Sequence, residues 1–389
     1  MTGTPDVSLE IRKFVAPEFI FGWGAIDLAG QYAANYRARK VLLVTDPGVR
    51  SAGWSDKVEK SLSEANIDIT IFDGITSNPK DYEVAAGADL YLRRGCDVIV
   101  AVGGGSPMDC AKGIAILVAN GGSILDYEGV DRVSIPPPPM VFIPTTAGTA
   151  ADISQFAIIS DTKRSIKIAI ISKTIIPDIA LIDPQTTLTM PDELTAATGM
   201  DVLTHAVEAY VSNASSPVTD VHAFEAIGIV AGYLKRVMEY PDNSQYRTRM
   251  MLGSLHAGLA FSNASLGMVH AMAHALGGSF DLSHGECNAL LLEHAVDFNY
   301  DAAPARYRHI LSAFDSNAGD STSFGKDALV RAISSLRESI GLNTRLRDMG
   351  LKKSDFDQLS DFALKDPCIV TNPKIPQKSD IVRCYEQAF

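Results

Sequence analysis

Apolar runs alternate with helix-like segments along the first half of the chain. Four runs rich in valine, leucine and isoleucine occur at 40–46 (KVLLVTD), 68–74 (DITIFDG), 97–105 (DVIVAVGGG) and 140–146 (MVFIPTT). Periodic segments such as 50–66 and 81–95 lie between them and have helical spacing. Continuous apolar strands that are well separated in sequence are typical of a parallel sheet covered on both faces. The pattern therefore predicts a doubly wound α/β domain.

A hairpin and a last strand complete this predicted domain. Residues 156–160 and 165–171 are apolar and are separated by the polar turn DTKR, which predicts a β-hairpin. The segment 179–184 (IALIDP) predicts the final strand.

The pattern changes after Met190. The stretch PDELTAATGMDVLTHAVEAYVS is rich in alanine and leucine with a helical period, and Pro191 suits a first helical turn. From there to Phe389 the patterns are helical, with almost no strand-like alternation. We therefore predict an α/β domain over 1–190 and an all-α domain over 191–389.

Length, charge and cysteine content narrow the class of protein. A chain of 389 residues is long enough for two domains with separate cores. The formal net charge of −12 argues against nucleic acid and anionic membranes as partners. The first residues lack the features of a secretory signal, and no apolar run approaches the roughly 20 residues of a membrane span. Five scattered cysteines favour reduced thiols, so we expect a cytoplasmic protein.

A triple glycine connects the third apolar run to a helix start. In GGGSPMDCAKG, Ser106 suits the N-cap, Pro107 the first helical position and Asp109 the position that reaches back to the cap. Glycines let the backbone approach a bound group, and a helix N-terminus offers N–H donors. The loop predicts a phosphate or pyrophosphate site. It lacks the GxGxxG pattern, so a plain strand-to-helix turn stays open.

Two further features at the ends of apolar runs suit the same ligand. Asp46 ends an early strand, where an acid commonly accepts from the ribose 2′-hydroxyl of NAD and repels the extra phosphate of NADP. A helix cap or a turn is an equally good interpretation of Asp46, since Pro47 and Gly48 follow. The segment 143–152 (IPTTAGTAAD) follows a strand and offers threonine hydroxyl groups at the carboxyl edge of the sheet.

Histidines and an aspartate in the second half have metal-ligand spacing. Asp201 and His205 lie four residues apart, as do His270 and His274, and His284 follows. Residues four apart share one face of a helix. Imidazoles with a carboxylate suit Fe(II) or Zn(II), although on spacing alone core histidines are an equally good interpretation. The other histidines have no second potential ligand at such a spacing and are interpreted as structural or exposed: His222, His256, His294 and His309.

These motifs, in this order, resemble the iron-containing (group III) alcohol dehydrogenase family. The resemblance runs from FGWGA (21–25) through GGGSPMDCAK, IPTTAGT, DPQTTLTMP and TAATGMDVLTHAVEAY to GMVHAMAHALGG and HGECNALLL. It implies a Rossmann-like, dinucleotide-binding N-terminal domain and a helical C-terminal domain, in a dehydroquinate synthase-like architecture with the active site between them. It also implies a homodimer or a larger homo-oligomer.

The resemblance implies roles for individual residues. The implied metal ligands are Asp201, His205, His270 and His284. His274 would be the catalytic histidine beside the metal and the nicotinamide, and Asp46 would select NAD over NADP. The other candidate cofactor-binding residues are Gly103, Gly104, Gly105, Ser106, Asp109, Thr145, Thr146, Thr149, Lys167 and Leu188.

The chain departs from the family pattern in two places. Where the family usually reads TTAGTGSE, this chain has Ala150, Ala151 and Asp152, and alanine restricts φ. This loop borders the expected cleft, so substrate range and cofactor binding are the properties it would change. Glu293 stands where the family usually has proline. Cys287 is interpreted as a small buried residue rather than a neighbour of the metal.

The function that follows is a metal-dependent, NAD(H)-linked alcohol dehydrogenase or aldehyde reductase. Hydride would pass between a primary alcohol or diol and NAD, with Fe(II), or alternatively Zn(II), as the Lewis acid. Two alternatives stay open: glycerol dehydrogenase-like polyol oxidation, and a non-catalytic member that binds NAD as a regulatory sensor. A lyase resembling dehydroquinate synthase fits less well, because 199–294 has few cations for an anionic substrate.

Overall fold

The computed structural model describes residues 13–315 and 325–389, and its first half contains two sheets. The strands are β1 (Glu18–Phe21), β2 (Lys40–Val44), β3 (Asp68–Phe72), β4 (Val98–Gly103), β5 (Gly129–Val130), β6 (Met140–Pro144), β7 (Phe156–Asp161), β8 (Ile166–Ile171) and β9 (Ile179–Ile182). Six of them form a parallel sheet in the order β1-β9-β6-β4-β2-β3. All four long apolar runs are strands of this sheet, which confirms the predicted fold class. The sequence pattern does not predict β1, a four-residue edge strand.

Helices cover both faces of the parallel sheet. Those of this half are α1 (Ala29–Asn35), α2 (Pro47–Ser51), α3 (Trp54–Glu64), α4 (Asp81–Arg94) and α5 (Gly105–Asn120). On β2, Leu42 belongs to the same core as Ile114 of α5, while Leu43 belongs to a second core with Leu62 of α3. Because successive side chains of a strand point to opposite faces, an unbroken apolar strand needs cover on both sides.

The predicted hairpin is confirmed and belongs to a three-stranded sheet in the order β5-β8-β7. The strands β7 and β8 are antiparallel and pair over their whole length. Their turn is closed by Asp161, whose Oδ1 accepts from the backbone N–H groups of Lys163 at 2.9 Å and Arg164 at 3.0 Å. This local hydrogen bonding is the physical basis of the DTKR turn.

Beyond β9 the described residues form helices and no further strand. These helices are α6 (Asp192–Val211), α7 (Pro217–Glu239), α8 (Ser244–Ala264), α9 (Met268–Phe280), α10 (His284–Asn299), α11 (Pro304–Asp315), α12 (Lys326–Ser339), α13 (Phe356–Ala363) and α14 (Lys378–Ala388). A 3₁₀ segment, Pro184–Thr189, links β9 to α6. The change from strands to helices is confirmed, while a domain boundary near residue 190 stays a prediction. None of the described helices has the length and apolar character needed to cross a membrane.

The largest hydrophobic core joins the two halves of the chain. It contains Ile153 and Phe156 from the first half, together with Met200 of α6, Phe261 of α8 and Leu276 of α9. The helix α10 packs against both α6 and α9. The three helices that carry the candidate metal ligands are therefore fixed relative to one another by apolar burial.

Candidate metal and cofactor site

The triple glycine lies where β4 meets α5, but the helix begins earlier than expected. The helix α5 starts at Gly105 with Gly104 as its N-cap, so the prediction that Ser106 is the cap is wrong. Ser106 lies in the first turn, where its Oγ accepts from the backbone N–H of Asn78 at 3.2 Å. Asp109 is consequently beyond the position that reaches back to a cap. Because a glycine cap has no side chain to occupy the first-turn N–H groups, these donors remain directed out of the helix.

Two threonines of the 143–152 loop pack directly on these glycines. A methyl group built on Gly104 would lie 3.2 Å from Cγ2 of Thr146, and one built on Gly105 would lie 2.9 Å from Cγ2 of Thr149. Side chains larger than hydrogen at either position would push the loop away. The glycines and the threonines therefore form one continuous wall.

An open cavity of about 570 Å³ lies along this wall. The predicted cofactor residues on its lining are Asp46, Gly104, Gly105, Ser106, Thr145, Thr146 and Thr149. Gly103 is buried within β4, Leu188 lies in the 3₁₀ segment after β9, and neither is part of this lining. The lining also includes Thr189 and Leu194, two residues that the sequence interpretation missed. The volume falls in the range of ligand and cofactor sites.

Asp46 combines the two interpretations that its sequence context left open. Its Oδ1 accepts from the backbone N–H of Val49 at 2.9 Å, which makes Asp46 the N-cap of α2. The same residue lies on the cavity lining. A carboxylate has two oxygens, so one can cap the helix while the other accepts from a bound hydroxyl group.

A second, narrower cavity of about 110 Å³ leads from the glycine wall to the histidines. It shares Gly105, Thr149 and His284 with the first cavity. The remaining cofactor candidates, Asp109 and Lys167, line this second cavity. Burial raises the pKa of Asp109 and lowers the pKa of Lys167. The apolar part of the lining includes Phe156, Ile158, Phe261 and Leu266.

The four predicted metal ligands meet beside this second cavity. Asp201 and His205 lie on α6, His270 lies on α9, and His284 is the first residue of α10. One potential ligand atom of each lies within 4.8 Å of all the others. The three Nε2 atoms are 3.6–3.8 Å from Oδ1 of Asp201. Two ligands at about 2.1 Å from one tetrahedral ion are about 3.4 Å apart, so the spacing fits a shared cation.

The electrostatics of this cluster favour the ligand forms of three of its four residues, Asp201, His205 and His284. Burial opposes ionisation of Asp201, but the imidazoles of His205, His284 and His270 hold its pKa well below its usual range. Burial lowers the pKa of His205 to about 3 and that of His284 well below its usual value. Burial also opposes protonation of His270, but its contacts with Asp201 and Glu208 raise its pKa to about 9, so a metal ion would have to displace a proton from this ring. An ionised carboxylate and neutral imidazoles are the forms that bind a metal ion.

Two buried carboxylates that the sequence interpretation missed hold the histidines of α9. Oε2 of Glu208 lies 2.6 Å from Nδ1 of His270, and Oδ2 of Asp366 lies 2.8 Å from Nδ1 of His274. Each carboxylate fixes its ring with Nε2 on the opposite side. Glu208 follows His205 by three residues, a helical spacing that could have revealed it. Asp366 lies 92 residues from its histidine and has no local signal.

Asn288, one turn after His284 on α10, is a third residue that the sequence interpretation missed. Its Nδ2 donates to Oδ1 of Asp201 at 2.7 Å and lies 3.1–3.2 Å from Nε2 of His270 and His284. Its Oδ1 is buried and has no hydrogen-bond partner among the described residues. An orphaned polar atom at this position fits a site that receives an ion or a polar group.

The remaining histidines lie outside this cluster. Nδ1 of His222 is 3.0 Å from Nδ1 of His256, and Nδ1 of His309 is 2.6 Å from the hydroxyl oxygen of Tyr210. His294 is partly buried beside Glu293. Within the described ranges, none of the four belongs to a group with metal-ligand geometry, which agrees with their interpretation as structural or exposed.

The departure at Glu293 and the nearby cysteine both have structural explanations. Oε2 of Glu293 lies 3.3 Å from Nε of Arg337 on α12, so the glutamate links α10 to α12. Cys287 is fully buried with a free thiol, as predicted, and burial raises its pKa to about 12. Among the described residues, Cys287 belongs to no group with metal-ligand geometry.

The departure at Ala150 places an alanine in strained backbone. Ala150 has a φ of +48°, in the left-handed region that glycine adopts more readily. A methyl group built on Gly258 of α8 would lie 2.5 Å from Cβ of Ala150. The loop beside the site therefore depends on a small residue at position 258.

Replacing Gly258 with alanine is expected to destabilise the protein by about 1–3 kcal/mol, the usual effect of overpacking a core position. The matched control is Gly228→Ala on α7, where an added methyl group meets no atom within 4 Å. That change should be neutral or stabilising, since it removes a helical glycine. Adding Ala150→Gly to Gly258→Ala should recover most of the loss. Denaturant unfolding measures these differences, and equal stability of the two single variants would contradict the packing argument.

Comparison with known proteins agrees with this arrangement. The family model described as iron-containing alcohol dehydrogenase matches residues 16–184, and its Fe-containing C-terminal counterpart matches 195–389. The chain is 42% identical over 387 residues to 1,3-propanediol dehydrogenase from Citrobacter freundii. The aligned region covers 98% of this chain and 100% of the relative. Lactaldehyde reductase from Escherichia coli is 35% identical over 372 residues, with coverages of 95% and 97%. The crystal structure of a 1,3-propanediol oxidoreductase superimposes with a TM-score of 0.93 at 40% identity, covering 98% of this chain and 100% of that chain.

The two-part fold, the buried donor set and these matches define a metal-dependent NAD alcohol oxidoreductase. The chain belongs to the iron-containing alcohol dehydrogenase family. Proteins of this family contain iron and depend on NAD, and the expectation drawn from the sequence motifs is confirmed at this level.

Proposed function

We propose that this protein interconverts a small primary alcohol or diol and its aldehyde with NAD(H), using Fe(II) held by four side chains. The proposed ligands are Asp201, His205, His270 and His284. The observation that carries the proposal is the convergence of these residues, from three helices, beside a cavity that begins at the glycine wall. Zn(II) is the alternative that the same donor set accepts.

Each part of the site then has a chemical task. When bound, the metal supplies Lewis-acid polarisation of the substrate oxygen, and the nicotinamide supplies the hydride acceptor or donor. The first-turn N–H groups of α5 bind the pyrophosphate, and Asp46 binds the adenosine ribose. His274, held through Nδ1 by Asp366, moves a proton at Nε2.

The size and lining of the second cavity support a small substrate. Its volume is about 110 Å³, and much of its wall is apolar. The names of three relatives refer to small substrates: 1,3-propanediol, methanol and lactaldehyde.

We further propose that the protein acts in the cytoplasm as a homodimer or larger homo-oligomer, with domains at 1–190 and 191–389. All five cysteines are free and buried, which supports a reducing compartment.

The test combines metal analysis with a turnover assay. Protein purified without chelators should contain stoichiometric iron and should form NADH with 1,3-propanediol, and chelation should abolish turnover until Fe(II) is restored. Lactaldehyde reduction and methanol oxidation in the same assay define the substrate range. Tight NAD binding with no turnover on any substrate would refute the proposal and support a regulatory sensor. Preferred turnover of glycerol would support polyol oxidation instead.

The role of Asp46 can be tested through coenzyme preference. Asp46→Asn keeps a capping oxygen but removes the charge that repels the phosphate of NADP. We expect the NADP-to-NAD ratio of kcat/KM to rise on the order of tenfold, equivalent to about 1.4 kcal/mol. Asp46→Gly, which removes both charge and cap, should show the same shift with an added loss of stability. An unchanged ratio in both variants would exclude Asp46 from coenzyme selection.

A further inference from the structure

Glu208 is a buried carboxylate whose two oxygens both serve the helix α9. The residue is 5% exposed and lies on α6, one turn after His205. Its Oε2 is 2.6 Å from Nδ1 of His270, and its Oε1 accepts from the backbone N–H of Val269 at 2.7 Å. Glu208 therefore contacts both the ring and the backbone of the segment that presents His270 to the other ligands.

The start of α9 depends on these contacts because it has no local cap. The helix begins at Met268 after Gly267, and no side chain of the preceding residue caps it. The N–H of Met268 donates instead to Oδ1 of Asn372 at 3.1 Å, and the N–H of the next residue, Val269, donates to Oε1 of Glu208. A methyl group built on Gly267 would lie 2.8 Å from Oε1 of Glu208 and from Oδ1 of Asn372. Glycine at 267 thus lets both side chains reach the helix end.

His270 differs in this respect from the other imidazoles of the metal cluster. Among the described residues, neither His205 nor His284 has a carboxylate at Nδ1. In the neutral imidazole, the hydrogen on Nδ1 that the bond to Glu208 requires leaves the lone pair on Nε2, which lies 3.6 Å from Oδ1 of Asp201. A carboxylate on the far nitrogen orients a ligand ring and strengthens it as a donor.

We propose that Glu208 is a positioning residue for metal binding, which holds His270 in the tautomer and orientation that a metal ion requires and anchors the start of α9. This inference rests on the proposed ligand role of His270. Glutamine at 208 would disturb the arrangement in either orientation of its amide. One orientation sets its NH₂ group against Nδ1–H of His270, and the other sets it against the N–H of Val269.

The test compares metal affinities of metal-stripped proteins, measured with Zn(II) in competition with a chromophoric chelator. Glu208→Gln is expected to weaken Zn(II) binding by about 10- to 100-fold. The matched control is Asp366→Asn, the same carboxylate-to-amide change on the other α9 histidine, which should bind Zn(II) as the wild type does. Glu208→Asp keeps the charge on a shorter side chain and should give an intermediate affinity. Thermal unfolding of the metal-free proteins identifies any variant that fails to fold. If Glu208→Gln does not fold, the Zn(II) affinity of Glu208→Asp is compared with that of the wild type instead.

The outcomes separate this inference from the function on which it rests. Wild-type affinity in Glu208→Gln, or an equal loss in Glu208→Gln and Asp366→Asn, would overturn the positioning role and leave the ligand assignment standing. A wild-type protein that binds no Zn(II) would instead refute the ligand assignment and, with it, the positioning role.

Discussion

The His270→Ala variant is expected to retain no stoichiometric metal and to lose at least about 10³-fold in kcat/KM. His270 is 1% exposed and lies at the centre of the cluster, with Nε2 3.6 Å from Oδ1 of Asp201. A Lewis acid contributes several kcal/mol to stabilisation of developing charge, and each 1.36 kcal/mol corresponds to a factor of ten in rate. Loss of one imidazole from a four-residue set should therefore remove both the ion and the chemistry that it supplies.

Metal content after purification without chelators and steady-state kinetics measure the two effects separately. His222→Ala is the matched control, because it removes an imidazole that lies outside the cluster and is only half-buried. This control should keep wild-type metal content and activity. A His270→Ala protein that is fully metal-loaded and active would show that the cluster is not the catalytic metal site.

Replacing His274 with glutamine is expected to spare the metal and to lower kcat by about 10²- to 10⁴-fold, the usual contribution of a positioned proton-transfer group. His274 lies one helical turn after His270, its ring stacks on that of His284 at 5.4 Å between centroids, and it lines the narrow cavity. It does not belong to the four-residue metal cluster. Glutamine retains a donor for Asp366, so the carboxylate does not become an unpaired buried charge.

The decisive readout for His274→Gln is a split between metal content and turnover. We expect wild-type iron content and NAD affinity together with the large fall in kcat. Loss of iron from this variant would show that His274 is a ligand, and an unchanged kcat would remove it from the proton path. In either case the division of roles between the two histidines of α9 would be wrong.

Much of the fold could be predicted because its signals are local. The apolar runs at 40–46 and 97–105 are strands since only a sheet covered on both faces buries every residue of such a run. The DTKR turn is closed by a side chain within the turn itself. The start of α5 differs from the prediction: Ser106 is a better cap by type than Gly104, but the helix begins at Gly105, where the preceding Gly104 packs closely against Thr146.

The candidate ligands were visible in sequence because pairs such as Asp201 and His205 have helical spacing, and the family motifs extend over the whole chain. The sequence by itself thus determined the long strands of the parallel sheet, the hairpin, the change to helices, the family and the donor types. Only the tertiary structure brought Glu208 to His270, Asp366 to His274, and the methyl group of Ala150 against Gly258. These contacts join residues at least 62 positions apart in sequence, and they depend on how distant helices and loops pack against one another, which local periodicity does not encode.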